Sequence, residues 1–355
     1  MSIRSLLWTV PGVVLLAGVS CAQSSSSPLE NSIQPPTARE TSAPKRPVKR
    51  KSDVAVGEGP YAVVFDGRNV WTSNYLEGTV TKLDPSNDNV LATYKVGYQP
   101  IGMAYDGANM WITDNATNTI AKMRASDGKV VGTFSVGSRP WWPAFDGAAV
   151  WVPNWGSNTV TKLRAGDGAI LGTFPVGTCP FAAVFDGQNI FVTNARSNNV
   201  TKLRASDGQV LGTFPVGKSP QGITFDGTNI WTANKGDGSV TKMRATDGVI
   251  LATFYPVSAP FGITFDGENI WVSCVAYVSK LRASDGKQLF NFNIGGGSTT
   301  GIVSDGTYLW MADYNHSGLF KFKRANQSPV ASPALANSTQ QTSIDTLANK
   351  GEVHD

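Results

Sequence analysis

The chain has 355 residues, 41% of them hydrophobic and 16% charged, with 37 Gly and 10 Trp. That is the composition of a globular protein and excludes a disordered chain. The net charge of +4 comes largely from the ends, since residues 52–325 hold 22 Lys and Arg against 21 Asp and Glu; a nucleic-acid-binding domain, which concentrates positive charge on its folded part, is excluded as well.

Residues 1–22 read as an export signal. Arg4 gives a positive start, Leu6 to Val19 an apolar run, and Ser20-Cys21-Ala22 a small-residue site. The run contains Pro11 and is short for a membrane span. Cleavage after Ala22 releases a soluble protein. Alternatively, Cys21 is the lipidated first residue of a bacterial lipoprotein, because Ala17-Gly18-Val19-Ser20-Cys21 loosely resembles a lipobox, although Leu is missing at the third position before Cys. Residues 23–51 are Ser- and Pro-rich and end in the basic run Lys45 to Lys51, the composition of a tether. The expected location is extracellular or in the cell envelope, with a membrane reached only through an anchor at Cys21.

From 52 to 325 a 40-residue unit recurs seven times. Asp-Gly pairs mark its register at Asp66, Asp106, Asp146, Asp186, Asp226, Asp266 and Asp305, at five intervals of 40 residues and one of 39. A period in this range means a solenoid, a propeller or an array. Each unit holds four short β-rich runs, which in the fifth copy are QGITF, NIWTAN, SVTKMRA and VILATFYPV. Asp-Gly splits the first pair and the last pair, a strong hairpin signal. Four antiparallel strands per unit is one propeller blade. The seventh copy supplies three strands and stops, while Asp53-Val54-Ala55-Val56-Gly57 matches the end of a fourth strand. The expected fold is all-β: a seven-bladed propeller of four-stranded antiparallel blades, its N-terminal strand completing the last blade. Residues 326–355 read as a disordered tail.

The seven copies can be compared with one another. A second-strand aromatic is shared (Trp71, Trp111, Trp151, Phe191, Trp231, Trp271, Trp310) and is expected to bury between blades. The repeated Asp-Gly reads as hairpin chemistry rather than a metal ring. A third-strand row of Lys82, Lys122, Lys162, Lys202, Lys242, Lys280 and Lys321, with Arg124, Arg164, Arg204, Arg244 and Arg282 two positions on, is expected to form a solvated rim. Cys179 and Cys274 lie two blades apart, too far for a bridge, and are expected as free, partly buried thiols. No Cys/His spacing suggests zinc, and nothing indicates a metal or another cofactor.

Function in a propeller is expected on the face formed by the loops between strands four and one and between strands two and three. The residue after the shared Pro opens the first strand there: Tyr61, Ile101, Trp141, Phe181, Gln221, Phe261 and Thr300. Four of these are aromatic, enough to ring the channel mouth with stacking surfaces. Copy three departs furthest. It has Trp142 and Pro143 where other copies have Ala or Gly, a middle loop with Pro153 and Trp155, and Arg139 in the preceding loop. Extra Trp side chains on one loop side suggest a binding patch; the alternative is that they pack on one another to seal the channel.

The unit P-x-G-I-x-F-D-G-x-N-I-W-V-T-N…N-x-V-T-K-L-R-A-S-D-G-x-V-L-G-T-F-x-V-G resembles the YVTN-type bacterial β-propeller repeats and, over 52–325, the related propeller of streptogramin (virginiamycin B) lyases. In the lyase family the resemblance implies a magnesium ion with two His and a Glu at the centre of the loop face. This chain has two His in all, and His354 lies in the tail, so that set cannot be assembled. If the protein is an enzyme, His316 with Glu58, brought together by ring closure, would be its base and carboxylate. The leading expectation is a non-catalytic, monomeric binding module that holds a glycan, peptide or protein ligand through Trp141, Trp142, Trp155, Arg139, Tyr61, Phe181 and Phe261. The rivals are a lyase-like or lactonase-like enzyme and a passive envelope scaffold.

Overall fold

The computed structural model describes residues 53–324, apart from 257 and 296. The segments read as export signal, linker and tail, and Cys21 with them, lie outside the described residues. Seven four-stranded antiparallel sheets follow one another along the chain. Blade five, for example, consists of Pro220–Phe225, Asn229–Asn234, Ser239–Arg244 and Ile250–Phe254. The inner strands of all seven blades line one central cavity. The ring closes as expected: Val54–Ala55 pairs with Gly318–Lys323 in the register Val54↔Leu319 and Ala55↔Gly318. The Val56 N–H adds a bond to the Ser317 carbonyl at 2.9 Å, and the Asp53 carboxylate accepts the Lys321 N–H at 2.9 Å.

Each Asp-Gly pair does more than turn the chain. Asp226 Oδ1 accepts the N–H groups of Thr228 and Asn229, and Oδ2 accepts the Trp231 indole N–H at 2.7 Å. Gly227 takes the left-handed φ of +94° that the turn requires. The same clamp recurs from Asp66 to Trp71, Asp106 to Trp111, Asp146 to Trp151, Asp266 to Trp271 and Asp305 to Trp310. Those indoles are fully buried between blades. Phe191 in blade four has no donor to give.

These clamps predict how the ring responds to acid. Burial alone would raise the carboxyls of Asp66, Asp106, Asp226 and Asp266, but the indole and backbone hydrogen bonds outweigh it and hold all four below the usual range. A carboxyl depressed in the folded state contributes stability above its unfolded value and loses it as pH falls through the folded one. Tm is expected to drop steeply below about pH 4, with more than one proton taken up per molecule unfolded. Calorimetry across that range checks it; a Tm that stayed level would contradict it.

The lysine row corrects the expectation of a solvated rim. Lys162, Lys202 and Lys242 are buried. Each of the seven ammonium groups lies 4.8–5.4 Å from the centroid of its own blade's second-strand ring. Six also donate to a carbonyl of the next blade: Ala125, Ala165, Ala205, Ala245, Ala283 and, across the closure, Pro85. The arginines, at strand ends past the neighbouring sheet, remain exposed and pair with the Asp three residues on. Lys sits mid-strand, where the next blade covers it, and that difference in position decides the two fates.

The cysteines need a correction too. Cys274 is free and fully buried, and burial pushes its thiol well above the ordinary range. Cys179 is fully buried as well, packed with Ala195 and Trp155.

Candidate ligand-binding face

The loop face is held in place by the row that ends the second strand. Asn154 Nδ2 donates to Thr159 and Thr161, and a Cβ on Gly137 would lie 2.6 Å from Asn154 Cγ, so that glycine is fixed by close approach. Asn74, Asn194 and Asn234 repeat the arrangement. Just before the shared Pro, the residues Arg139, Cys179, Ser219 and Ala259 take left-handed φ values of +51°, +58°, +50° and +51°, a strained conformation for non-glycine residues. The first three are held there by N–H bonds to Asn118, Asn158 and Asn198 of the preceding blade.

Blade three departs from the others for a legible physical reason. In blades one, two, four and six, a second-strand hydroxyl accepts an inner-strand N–H and donates to the inner strand of the next blade. Thr113, for example, accepts from Gly102 and donates to Trp141 O at 2.9 Å. Ser73, Thr193 and Ser273 act likewise. Pro153 occupies this position in blade three. It lies inside the strand Ala149–Asn154 and not in the middle loop where it was expected. Blades five and seven also lack the hydroxyl, with Ala233 and Ala312 there, yet keep full inner strands. What sets blade three apart is the Trp142 side chain where the others have Ala or Gly. The Trp142 N–H goes to Phe181 O at 3.1 Å, while Ala183 N–H returns a bond to Trp142 O. Trp142 thus pairs in parallel with Ala182 of blade four, and the inner strand of blade three shrinks to Ala144–Phe145.

That shift brings the predicted aromatics together. Trp142 stands 5.2 Å from Phe181, 5.5 Å from Phe261 and 5.8 Å from Tyr61, centroid to centroid. Trp141 packs tilted against Phe181 at 4.3 Å and lies 5.6 Å from Trp155. Tyr61 links the set to Tyr75 and Tyr314. The cluster caps a channel cavity of about 160 Å³ with Trp142 in its wall. Phe181 and Phe261 are buried beneath their neighbours, so much of their work is packing; Tyr61, Trp141, Trp142 and Trp155 are half-buried. Burial, followed by the neighbouring Tyr314 and Tyr75, drives the Tyr61 phenol far above its usual range. Tyr61 is a neutral hydroxyl at any physiological pH.

His316 and Glu58 are both exposed. Closure does bring their loops together, as the Val56–Ser317 bond shows. The carboxylate beside His316, however, is Asp313, with Oδ2 2.8 Å from the ring Nδ1. Asp313 is fully buried, and its Oδ1 has no protein partner. The dyad orients one imidazole and leaves Nε2 outward.

Several residues on this face escaped sequence reasoning. Gln221, in the aromatic row, is buried with an amide oxygen that no protein group bonds. Tyr75 and Tyr314 extend the cluster, and the Lys235 ammonium lies 5.4 Å from the Phe261 ring centroid. The repeat row that holds Lys235 has no shared residue (Tyr75, Asn115, Trp155, Ala195, Val275 and Tyr314 stand in the other copies), so comparison of the repeats gave no signal for it. Among the described residues no group of three His, Cys, Asp or Glu side chains converges as metal ligands.

No family model matches the chain, and no curated protein does. Solved structures match its fold. A streptogramin B lyase superposes with a TM-score of 0.65 at 18% identity, covering 77% of this chain and 95% of that one. Virginiamycin B lyase from Staphylococcus aureus gives 0.65 at 19%, covering 75% and 94%. U3-55K gives 0.67 at 12%, covering 78% and 97%. The resemblance to the lyase-like propellers therefore holds as a likeness of fold, and at these identities it extends no further.

Proposed function

We propose that the protein is an exported binding module whose loop face holds a glycan, peptide or protein ligand. The observation that carries this reading is the continuous aromatic surface at the channel mouth, from Trp155 and Trp141 through Tyr61 to Tyr314. The blades are held together by their own Trp, Lys and hydroxyl rows, so the ring does not need this surface to close. Half-buried aromatic side chains are the usual anchors of a recognition site.

Trp141 and Trp155 are the residues to test, because Trp142 also fixes the register of an inner strand. A thermal-shift screen against cell-wall glycans and peptides should find a ligand that raises Tm. Trp141→Ala or Trp155→Ala should then weaken that ligand about 30-fold, as loss of a recognition anchor does. Binding unchanged in both variants would sink the reading. A second reading, a lyase-like or lactonase-like enzyme, is favoured by the Asp313–His316 dyad alone. Opening of a cyclic ester that stops on His316→Ala would support it, and turnover surviving that change would remove it.

A further inference from the structure

The loop face carries charge in a way the outer rim does not. Every repeated rim arginine is neutralised by its own Asp at 2.7–3.4 Å. On the loop side of blades four and five, Arg196, Lys218 and Lys235 are exposed, and none makes an ion pair among the described residues. Asp237 shares the Lys235 loop, but its carboxylate accepts from the Lys218 and Ser239 N–H groups and the Ser239 hydroxyl. Beside this cationic arc a cavity of about 180 Å³ opens between blades five and seven. Its walls are the rings of Tyr61, Phe261 and Tyr314, with Lys235 and Ser298 at the margin. Tyr61 meets Phe261 edge-on at 77° and Tyr314 at 89°, so the three rings lie in different planes.

We propose that this cavity seats one uronic-acid residue of an acidic glycan, its sugar ring against the aromatic walls and its carboxylate on Lys235. Rings supply flat apolar faces for the C–H side of a pyranose, and the ammonium supplies a charge-assisted bond to an anion. An extended acidic peptide suits the site less well. A peptide that docks by strand addition needs an open strand edge, and the one free edge of each inner strand lines the central channel and not this cavity. Arg196 and Lys218 extend the positive field so that neighbouring uronates of the same chain are attracted too. The inference rests on the loop-face binding reading and names its ligand class.

The test is calorimetric titration of the full chain with oligogalacturonate and with the same oligosaccharide after reduction of its carboxyls. The acidic form should bind, weaken as salt rises, and lose about tenfold or more in affinity on Lys235→Gln. Lys235 is exposed, so the variant should keep the parent Tm. Equal binding of acidic and neutral forms, or no effect of Lys235→Gln, would overturn the proposal. Poly-glutamate binding with the same Lys235 dependence would overturn the glycan assignment. Failure of the acidic glycan while a neutral glycan or a peptide binds through Trp141 would remove this inference and leave the binding module standing. No binding to any of them would remove both.

Discussion

Replacing Gly262 with valine is expected to cost the ring at least about 3 kcal/mol, through overpacking against backbone. Gly262 lies on an inner strand, and a Cβ built there would sit 2.4 Å from the Thr300 carbonyl oxygen of the next blade. Nothing flexible can yield at that contact, so two blades must move apart, and the Ser273 bond between them would be lost. Gly102, Gly222 and Gly301 meet neighbouring backbone in the same way at 2.5–2.7 Å. Thermal denaturation should show a Tm lower by roughly 6–12 °C. Gly166→Ala is the control: no atom lies within 4 Å of its Cβ site, and the change should fall within about 1 kcal/mol of neutral. Similar losses in the two variants would mean that the inner strands are not closely packed.

Lys202→Met should cost about 2–3 kcal/mol, because it keeps the length of the side chain and strips its donors. The ammonium bonds Ala245 O at 2.8 Å and Thr246 O at 3.0 Å while lying over Phe191. Methionine would still cover the ring but leave both carbonyls without that partner. Arg204→Met removes only exposed contacts, an ion pair with Asp207 and a hydrogen bond to the Gln209 amide oxygen, and should change stability by less than about 0.5 kcal/mol. Chemical denaturation of the pair decides the matter. Equal effects would restore the solvated-rim view of both residues.

How much of this was legible in sequence depends on whether a feature repeats along one blade or arises between blades. The Asp-Gly register, the Trp row and the matched ends each follow from the repeat itself, and they state the ring almost completely. The fate of Lys202 does not, since strand alternation puts Lys202 and Arg204 on the same face. Only the reach of the next blade separates them. Trp142 stood out as a break in a row of Ala and Gly, but its parallel pairing with Ala182 of the next blade was not readable from one repeat. The identity of the aromatic row was visible, whereas the burial of Phe181 under Trp141 from a neighbouring blade was not. His316 was matched with Glu58 across the closure, although a carboxylate three residues away in its own hairpin, Asp313, was the nearer candidate.

The closure has a further consequence, for the order of events during folding. Most pairing joins strands adjacent in sequence, so blades can zip up locally and in succession. The contact between Asp53 and Lys321 spans 268 residues, and bringing such distant segments together carries the largest loop-closure entropy in the molecule. The first strand to be synthesised is thus among the last to find its partner. Until blade seven exists, blade one presents an uncovered flank, and a chain interrupted before Gly318 would keep that flank open to pairing with other chains.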